Sequence, residues 1–280
     1  MKKAPFPVGP VTLFIVAMLG LTSSPAIAQE DQCGSDAASI VQTAYPDGTK
    51  ISDETYSVDG GTITLPADSI VDYASHKMVC RIWPANPQYR LVAVPLIYGR
   101  TGDATEGDLD LLVLDTETHA VIARTRLADR MSDDAVRIYR VAFDTAFYRL
   151  APGRIAFGLR IVEEGSSRVN PFMLTTLWLF DMEGEDLRAI LDNVVVDQRG
   201  GEWDGNCDGE FYATTRTLAM APRIHNGHAD IIVSTHAETS VSQQRDGQCT
   251  ETLTDSPAST DHLIFDGTQY TVPEALTRGW

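Results

Sequence analysis

Basic side chains are scarce in this chain. Its 280 residues hold 22 Lys and Arg against 39 Asp and Glu, a formal charge of −17. Nucleic-acid phosphates need clustered cations, so this balance argues against nucleic acid as a partner. Cysteine is sparse as well, and four Cys are too few for a disulfide-dense mini-scaffold. Catalytic signatures are missing. The chain has no Gly-x-Ser-x-Gly nucleophile elbow and no Gly-rich phosphate loop leading into a helix. What it does have is 43% hydrophobic and 8% aromatic residues, which excludes a disordered chain.

The first residues read as a targeting segment. Lys2 and Lys3 give a positive start, residues 11–21 are an apolar run, and Ala26-Ile27-Ala28 has the small-x-small form of a cleavage site. The run is shorter than the roughly 20 residues that span a membrane. Residues 1–28 are therefore expected to be a signal peptide, and 29–280 the mature chain, in the periplasm or secreted. Nothing after residue 28 approaches a membrane-spanning length, so no membrane insertion is expected once the signal is removed.

Export places Cys33, Cys80, Cys207 and Cys249 in an oxidising compartment, where Cys pair. The sequence-local pairing, Cys33 with Cys80 and Cys207 with Cys249, brackets one compact block each and is the expectation among three connectivities. A zinc site is disfavoured, because no Cys-x-x-Cys occurs.

Helical signals are few. Residues 35–44 form a helix that Ser35 is placed to cap, and Tyr45-Pro46-Asp47-Gly48 ends it. A second turn fits residues 273–277. Elsewhere, short runs rich in Val, Ile, Thr, Phe and Tyr alternate with Gly, Pro, Asn and Asp. Residues 54–58 and 62–65 flank a three-residue loop, Asp59-Gly60-Gly61. Residues 91–98 are apolar on both faces and read as a central strand. Further runs lie at 110–114, 120–127, 135–143, 154–162, 175–180, 187–191, 210–220, 229–236, 262–265 and 269–272. The expected fold is one antiparallel, multi-stranded all-β domain over 29–280. It comprises an N-terminal helix and hairpin segment at 29–78 and a main β region at 79–280.

Three runs share a pattern: an aliphatic strand closed by Asp115, Asp181 or Asp266, then a turn, then a second strand. An Asp there can accept backbone N–H groups of the turn. Two other stretches, Glu106-Gly107-Asp108-Leu109-Asp110-Leu111-Leu112-Val113 and Asn226-Gly227-His228-Ala229-Asp230-Ile231-Ile232-Val233, resemble the FG-GAP or VCBS repeats of calcium-binding β-propellers. The resemblance is local and implies propeller-like hairpins. The Asp-x-Asp-x-Asp-Gly loop that binds calcium in those repeats is absent upstream of both. A propeller-like array is preferred over a sandwich.

Few residues carry chemistry. Asp204-Gly205-Asn206-Cys207-Asp208-Gly209 matches the first half of a calcium loop, with Asp204, Asn206 and Asp208 as oxygen donors. Its twelfth position is Thr215 instead of Glu, so an Asp- and Gly-rich disulfide turn is the preferred reading over a calcium site. No other cofactor is expected. His225 and His228 flank a turn, and His236 lies a strand of about 25 Å away, so they read as separate exposed turn histidines. Asp133-Asp134 and Glu163-Glu164 read as solvated loops. Trp83 and Trp203 each lie within four residues of a Cys. They either pack over it or present a binding face.

The functional expectation is an exported cell-envelope binding protein without catalytic machinery. Its partner is an unidentified protein or glycan read by Trp83 and Trp203, and a basic partner surface would suit the acidic charge. The alternative is a carboxylate-dependent hydrolase of envelope polymers on a propeller scaffold.

Overall fold

The computed structural model describes residues 33–66, 76–102 and 104–277. The segment read as a signal peptide lies outside them. A 3₁₀ turn, Gly34–Asp36, leads into α1 (Ala37–Ala44). Ser35 lies within the turn and does not cap the helix, whose N-cap is Asp36.

The strands gather into two antiparallel sheets. The first contains β1 (Thr49–Lys50), β2 (Thr55–Val58), β3 (Gly61–Thr64), β4 (Val79–Ile82), β5 (Tyr89–Thr101), β6 (Ala104–Asp115) and β7 (Val121–Leu127). Its order is β1-β2-β3-β5-β6-β7, with β4 also on β5. The second contains β8 (Val136–Ala151), β9 (Arg154–Gly165), β10 (Phe172–Glu183), β11 (Asp186–Trp203), β12 (Gly209–His225), β13 (His228–Arg245), β14 (Gln248–Asp255) and β15 (Ser259–Leu263). These run β14-β13-β12-β11-β10-β9-β8, with β15 on β13 beyond the end of β14. A 3₁₀ turn, Glu274–Leu276, follows.

Side-chain alternation builds three cores from these layers. On β5, Val92, Val94 and Leu96 face outward with Leu112 and Leu114 of β6, where Ile40 and Val41 of α1 cover them. The other face of β5 and β6, with Leu91, Ala93, Leu109, Leu111 and Val113, packs against Phe157, Leu159, Trp178 and Phe180 of the second sheet. The far face of that sheet, with Leu177, Leu179, Val194 and Val196, is closed by Ile231, Val233, Leu263, Phe265 and Tyr270. The long second sheet curls, so that β8 lies against β12 and β13. Cys33–Cys80 and Cys207–Cys249 are bonded, with Cα atoms 4.9 and 5.6 Å apart.

Among the described residues neither sheet closes into a barrel or divides into four-stranded blades, so the pairing gives the propeller-like arrangement no support. The Asp-closed units are hairpins within these sheets. Asp115 accepts the N–H groups of Glu117 and Thr118, and Asp266 those of Thr268 and Gln269. Asp181 differs. It is buried and receives Arg154 through two guanidinium nitrogens. The loop after β2 is shorter than the sequence suggests: Val58 pairs with Gly61, and Asp59 and Gly60 both have positive φ. Asn226-Gly227 and Asp246-Gly247 make turns of the same kind.

Candidate functional site

The far ends of β10 to β14 leave the packed cores and form a broad ribbon with both faces exposed. Register assigns the faces. Gly201, Phe211, Ser240 and Leu253 are successive cross-strand partners from β11 to β14, so their side chains share one face. Gly200, Tyr212 and Thr239 share the other.

The first face floors an open cleft of about 790 Å³. Met173 comes from β10, Arg199 and Trp203 from β11, Phe211 and Ala213 from β12. Glu238 and Ser240 come from β13, and Glu251 and Leu253 from β14. One wall is Glu164 with the loop through Ser166, Ser167, Arg168 and Pro171. That loop is stitched to the end of β11, since Gly201 N–H donates to the Pro171 carbonyl at 3.1 Å and Trp203 N–H to that of Val169 at 2.8 Å. The apolar part of the floor is open to solvent: Trp203 is 37% exposed and Leu253 59%. Three carboxylates, Glu164, Glu238 and Glu251, face two guanidinium groups. One of these, Arg199, is already held by Asp197 at 3.1 and 3.2 Å. Cys249 shares the face of Leu253 two registers further on, so its bond to Cys207 ties down that end of the ribbon.

The two sequence-selected Trp residues part company. Trp203 lines the cleft. Trp83 is buried between the sheets, edge-on to Phe157 at 5.4 Å and stacked with Tyr89 at 6.4 Å. It is core, and it packs on the face of the sheet opposite to Cys80.

Asp204 Oδ1 accepts the N–H groups of Asn206 and Cys207, and Asp208 Oδ1 accepts that of Gln244. In this disulfide turn the carboxylates of Asp204 and Asp208 already accept backbone N–H groups. Of the three histidines read as exposed turn residues, His236 is exposed but lies within β13, and the other two are engaged. His225 Nδ1 meets Asp230 at 2.6 Å, and His228 is buried, stacked on Phe265 at 3.9 Å. His236 stands apart with Glu238 and Asp255, their ligating atoms all within 4.8 Å of one another. Nor is Asp133 a solvated loop: it accepts Ile138 N–H and lies 3.3 Å from His76. Glu163 is buried too.

The aspartates of the two propeller-like stretches also have a structural role. Both are buried, Asp110 in the middle of β6 and Asp230 near the start of β13. Asp110 accepts from Tyr45, Arg124 and Arg126, and Asp230 is held by His225.

Sequence reasoning missed Phe211, Leu253, Glu238 and Glu251. Their common face follows only from the register of β11 to β14. Among the described residues no helix is long and apolar enough to cross a membrane. A scan against protein-family models and searches of curated proteins and of solved structures find no match for this chain.

Proposed function

We propose that this is an exported cell-envelope protein whose cleft binds an extended segment of a protein partner, with cationic and apolar side chains. The observation that carries the reading is the floor itself: Trp203, Phe211, Met173 and Leu253 lie side by side on one open face, rimmed by Glu164, Glu238 and Glu251. Among the described residues no element covers this face, and open aromatic and aliphatic side chains are the usual core of a recognition patch. Met and Leu beside the aromatics suit the apolar side chains of a peptide better than the hydroxylated faces of a sugar. The carboxylates and the overall charge of −17 favour a basic partner and speed its approach. Along the outer side, β14 carries eight exposed residues and pairs only with β13 among the described residues, so a partner strand has a free edge to join. The two disulfides and the signal-like start support export.

The test is isothermal titration with three probes: a ten-residue peptide alternating Lys with Val and Leu, the same peptide with Glu in place of Lys, and a chitin hexasaccharide. The basic peptide should bind. Its affinity should fall roughly tenfold or more in Trp203→Ala, and again when salt is raised and the carboxylates are screened. Binding of the sugar without the peptide, or equal binding of both peptides, would refute the proposal.

A further inference from the structure

We infer that the partner segment joins the free edge of β14 as an antiparallel strand, in a register that requires side chains in the order basic, any, apolar, any, basic. The inference rests on the peptide reading of the cleft and adds the orientation and sequence pattern of the bound segment.

β14 lacks the devices that keep natural edges closed. Short strands, bulges, Lys and Pro all discourage strand addition. β14 runs for eight residues, holds no Lys or Pro, and pairs with β13 in one unbroken register from Gln248 to Asp255. Its Thr250, Thr252 and Thr254 are β-branched and favour extended backbone.

The turn decides which backbone groups are free. Asp246-Gly247 is a two-residue turn of positive φ that closes on the pair Arg245 and Gln248. In such hairpins the closing pair is hydrogen-bonded, and bonded pairs then recur at every second residue. Gln248, Thr250, Thr252 and Thr254 therefore bond inward to β13. Ser256 continues the same set, since its N–H donates to the Ala237 carbonyl at 2.8 Å. Cys249, Glu251, Leu253 and Asp255 turn their N–H and C=O groups outward.

Those outward-bonding residues also carry the side chains of the cleft face. Glu251 and Leu253 line the cleft, and Asp255 lies two residues on, on the same side. An antiparallel partner sets one residue directly opposite each. Cross-strand pairs of opposite charge, and of apolar with apolar, stabilise a ladder. The partner thus needs a cation opposite Asp255, an apolar side chain opposite Leu253 and a cation opposite Glu251. Its intervening side chains fall beside the threonines of the other face.

A second copy of this chain fits the edge poorly. The two twofold registers with the longest overlap set Glu251 opposite itself or opposite Leu253. The formal charge of −17 adds repulsion between copies.

The experiment titrates the full protein with synthetic peptides by calorimetry. Acetyl-Thr-Lys-Thr-Val-Thr-Lys-Thr-amide should bind at least about tenfold more tightly than acetyl-Thr-Thr-Lys-Val-Lys-Thr-Thr-amide, which has the same composition but turns Val and Lys to opposite faces. Methylating the Val nitrogen, which donates to Leu253, should abolish binding; methylating the nitrogen of the Thr before it should not. Antiparallel entry sets the C-terminal Lys opposite Glu251. In Glu251→Lys, affinity for the first peptide should fall about tenfold and return for Thr-Lys-Thr-Val-Thr-Glu-Thr, but not for Thr-Glu-Thr-Val-Thr-Lys-Thr. Equal binding of the ordered and permuted peptides, with both weakened in Trp203→Ala, would overturn the edge inference and leave the cleft reading intact. Recovery with the second Glu peptide alone would overturn it as well, and so would a dimer of the protein that excludes peptide. Failure of every basic peptide to bind would remove the cleft reading and this inference together.

Discussion

Gly201 on β11 and Phe211 on β12 stand directly opposite each other, and the missing side chain of the first makes room for the ring of the second. A Cβ on Gly201 would lie 2.5 Å from Phe211 Cδ1 and 2.5 Å from the Glu210 carbonyl oxygen. An aromatic laid across a cross-strand glycine fills the space that residue leaves. In Gly201→Ala the ring and the strand pair must both give way. The melting curve should report a loss of about 1–3 kcal/mol, and affinity for the basic peptide should fall with it. A variant with wild-type stability and peptide affinity would show that the glycine does not shape the cleft.

The bond between Cys207 and Cys249 closes a loop with a sequence separation of 42. It ties the turn before β12 to the start of β14. Cys207→Ser with Cys249→Ser should cost about 2–4 kcal/mol in urea unfolding. The cost should be local. Amide exchange should accelerate in β14 and in the adjoining ends of β12 and β13, while the interior of β5 and β6 keeps its protection. Uniform acceleration through both sheets would contradict a staple confined to the ribbon.

How much of this was legible in the sequence depends on burial. β5 could be read because it is buried on both faces, so its apolar run is continuous. Pro95 within it looks wrong for a central strand, yet β4 pairs up to Ala93 and β3 at Ile97, and the proline falls between them. β14 was invisible for the opposite reason. All eight of its residues are exposed, so no alternation marks it, although Asp246-Gly247 is a hairpin turn signal. With β14 unread, Leu253 and Glu251 could not be placed beside Phe211, nor Asp255 beside Glu238. The paired cysteines and most hairpins were legible because they are local. Trp83 and Trp203 had the same sequence signature, and only the packing of one sheet on the other separates them.

His228 gives the fold a dependence on acid. Burial, followed by the charge of Arg154, holds its imidazole below the ordinary value of 6.5, against the opposing pull of Asp181. Asp181 lies 3.8 Å away, and Arg188 approaches the same carboxylate. A base with a lowered folded pKa contributes stability above pH 6.5, and that contribution is lost as pH falls below 6.5. His76, lowered mainly by burial, acts in the same direction. The unfolding free energy should therefore decline between about pH 6.5 and 5. His228→Gln should flatten part of that slope. An unchanged slope in the variant would rule His228 out as its source.

Asp110 joins the N-terminal segment to the first sheet. Its carboxylate, 1% exposed, accepts the Tyr45 hydroxyl at 2.8 Å, Arg126 Nε at 2.6 Å and Arg124 Nη2 at 3.1 Å. Burial, with the charge of Asp110, pushes the Tyr45 phenol upward, so it remains a donor. Tyr45 directly follows α1, so this hydroxyl bond fixes the helix against β6. In Asp110→Asn the charge is lost and an amide N–H₂ meets three donors. Breaking a buried ion pair on one side costs about 3–5 kcal/mol. The two guanidinium groups here are about 40% exposed and can turn to water, so roughly 2–3 kcal/mol is expected. Tyr45→Phe removes one hydrogen bond and should cost about 1–2 kcal/mol. The double variant should cost less than the sum, because both substitutions remove the same contact. Urea midpoints of the four proteins measure this, and an Asp110→Asn variant within about 0.5 kcal/mol of wild type would show that the carboxylate does not hold the helix in place.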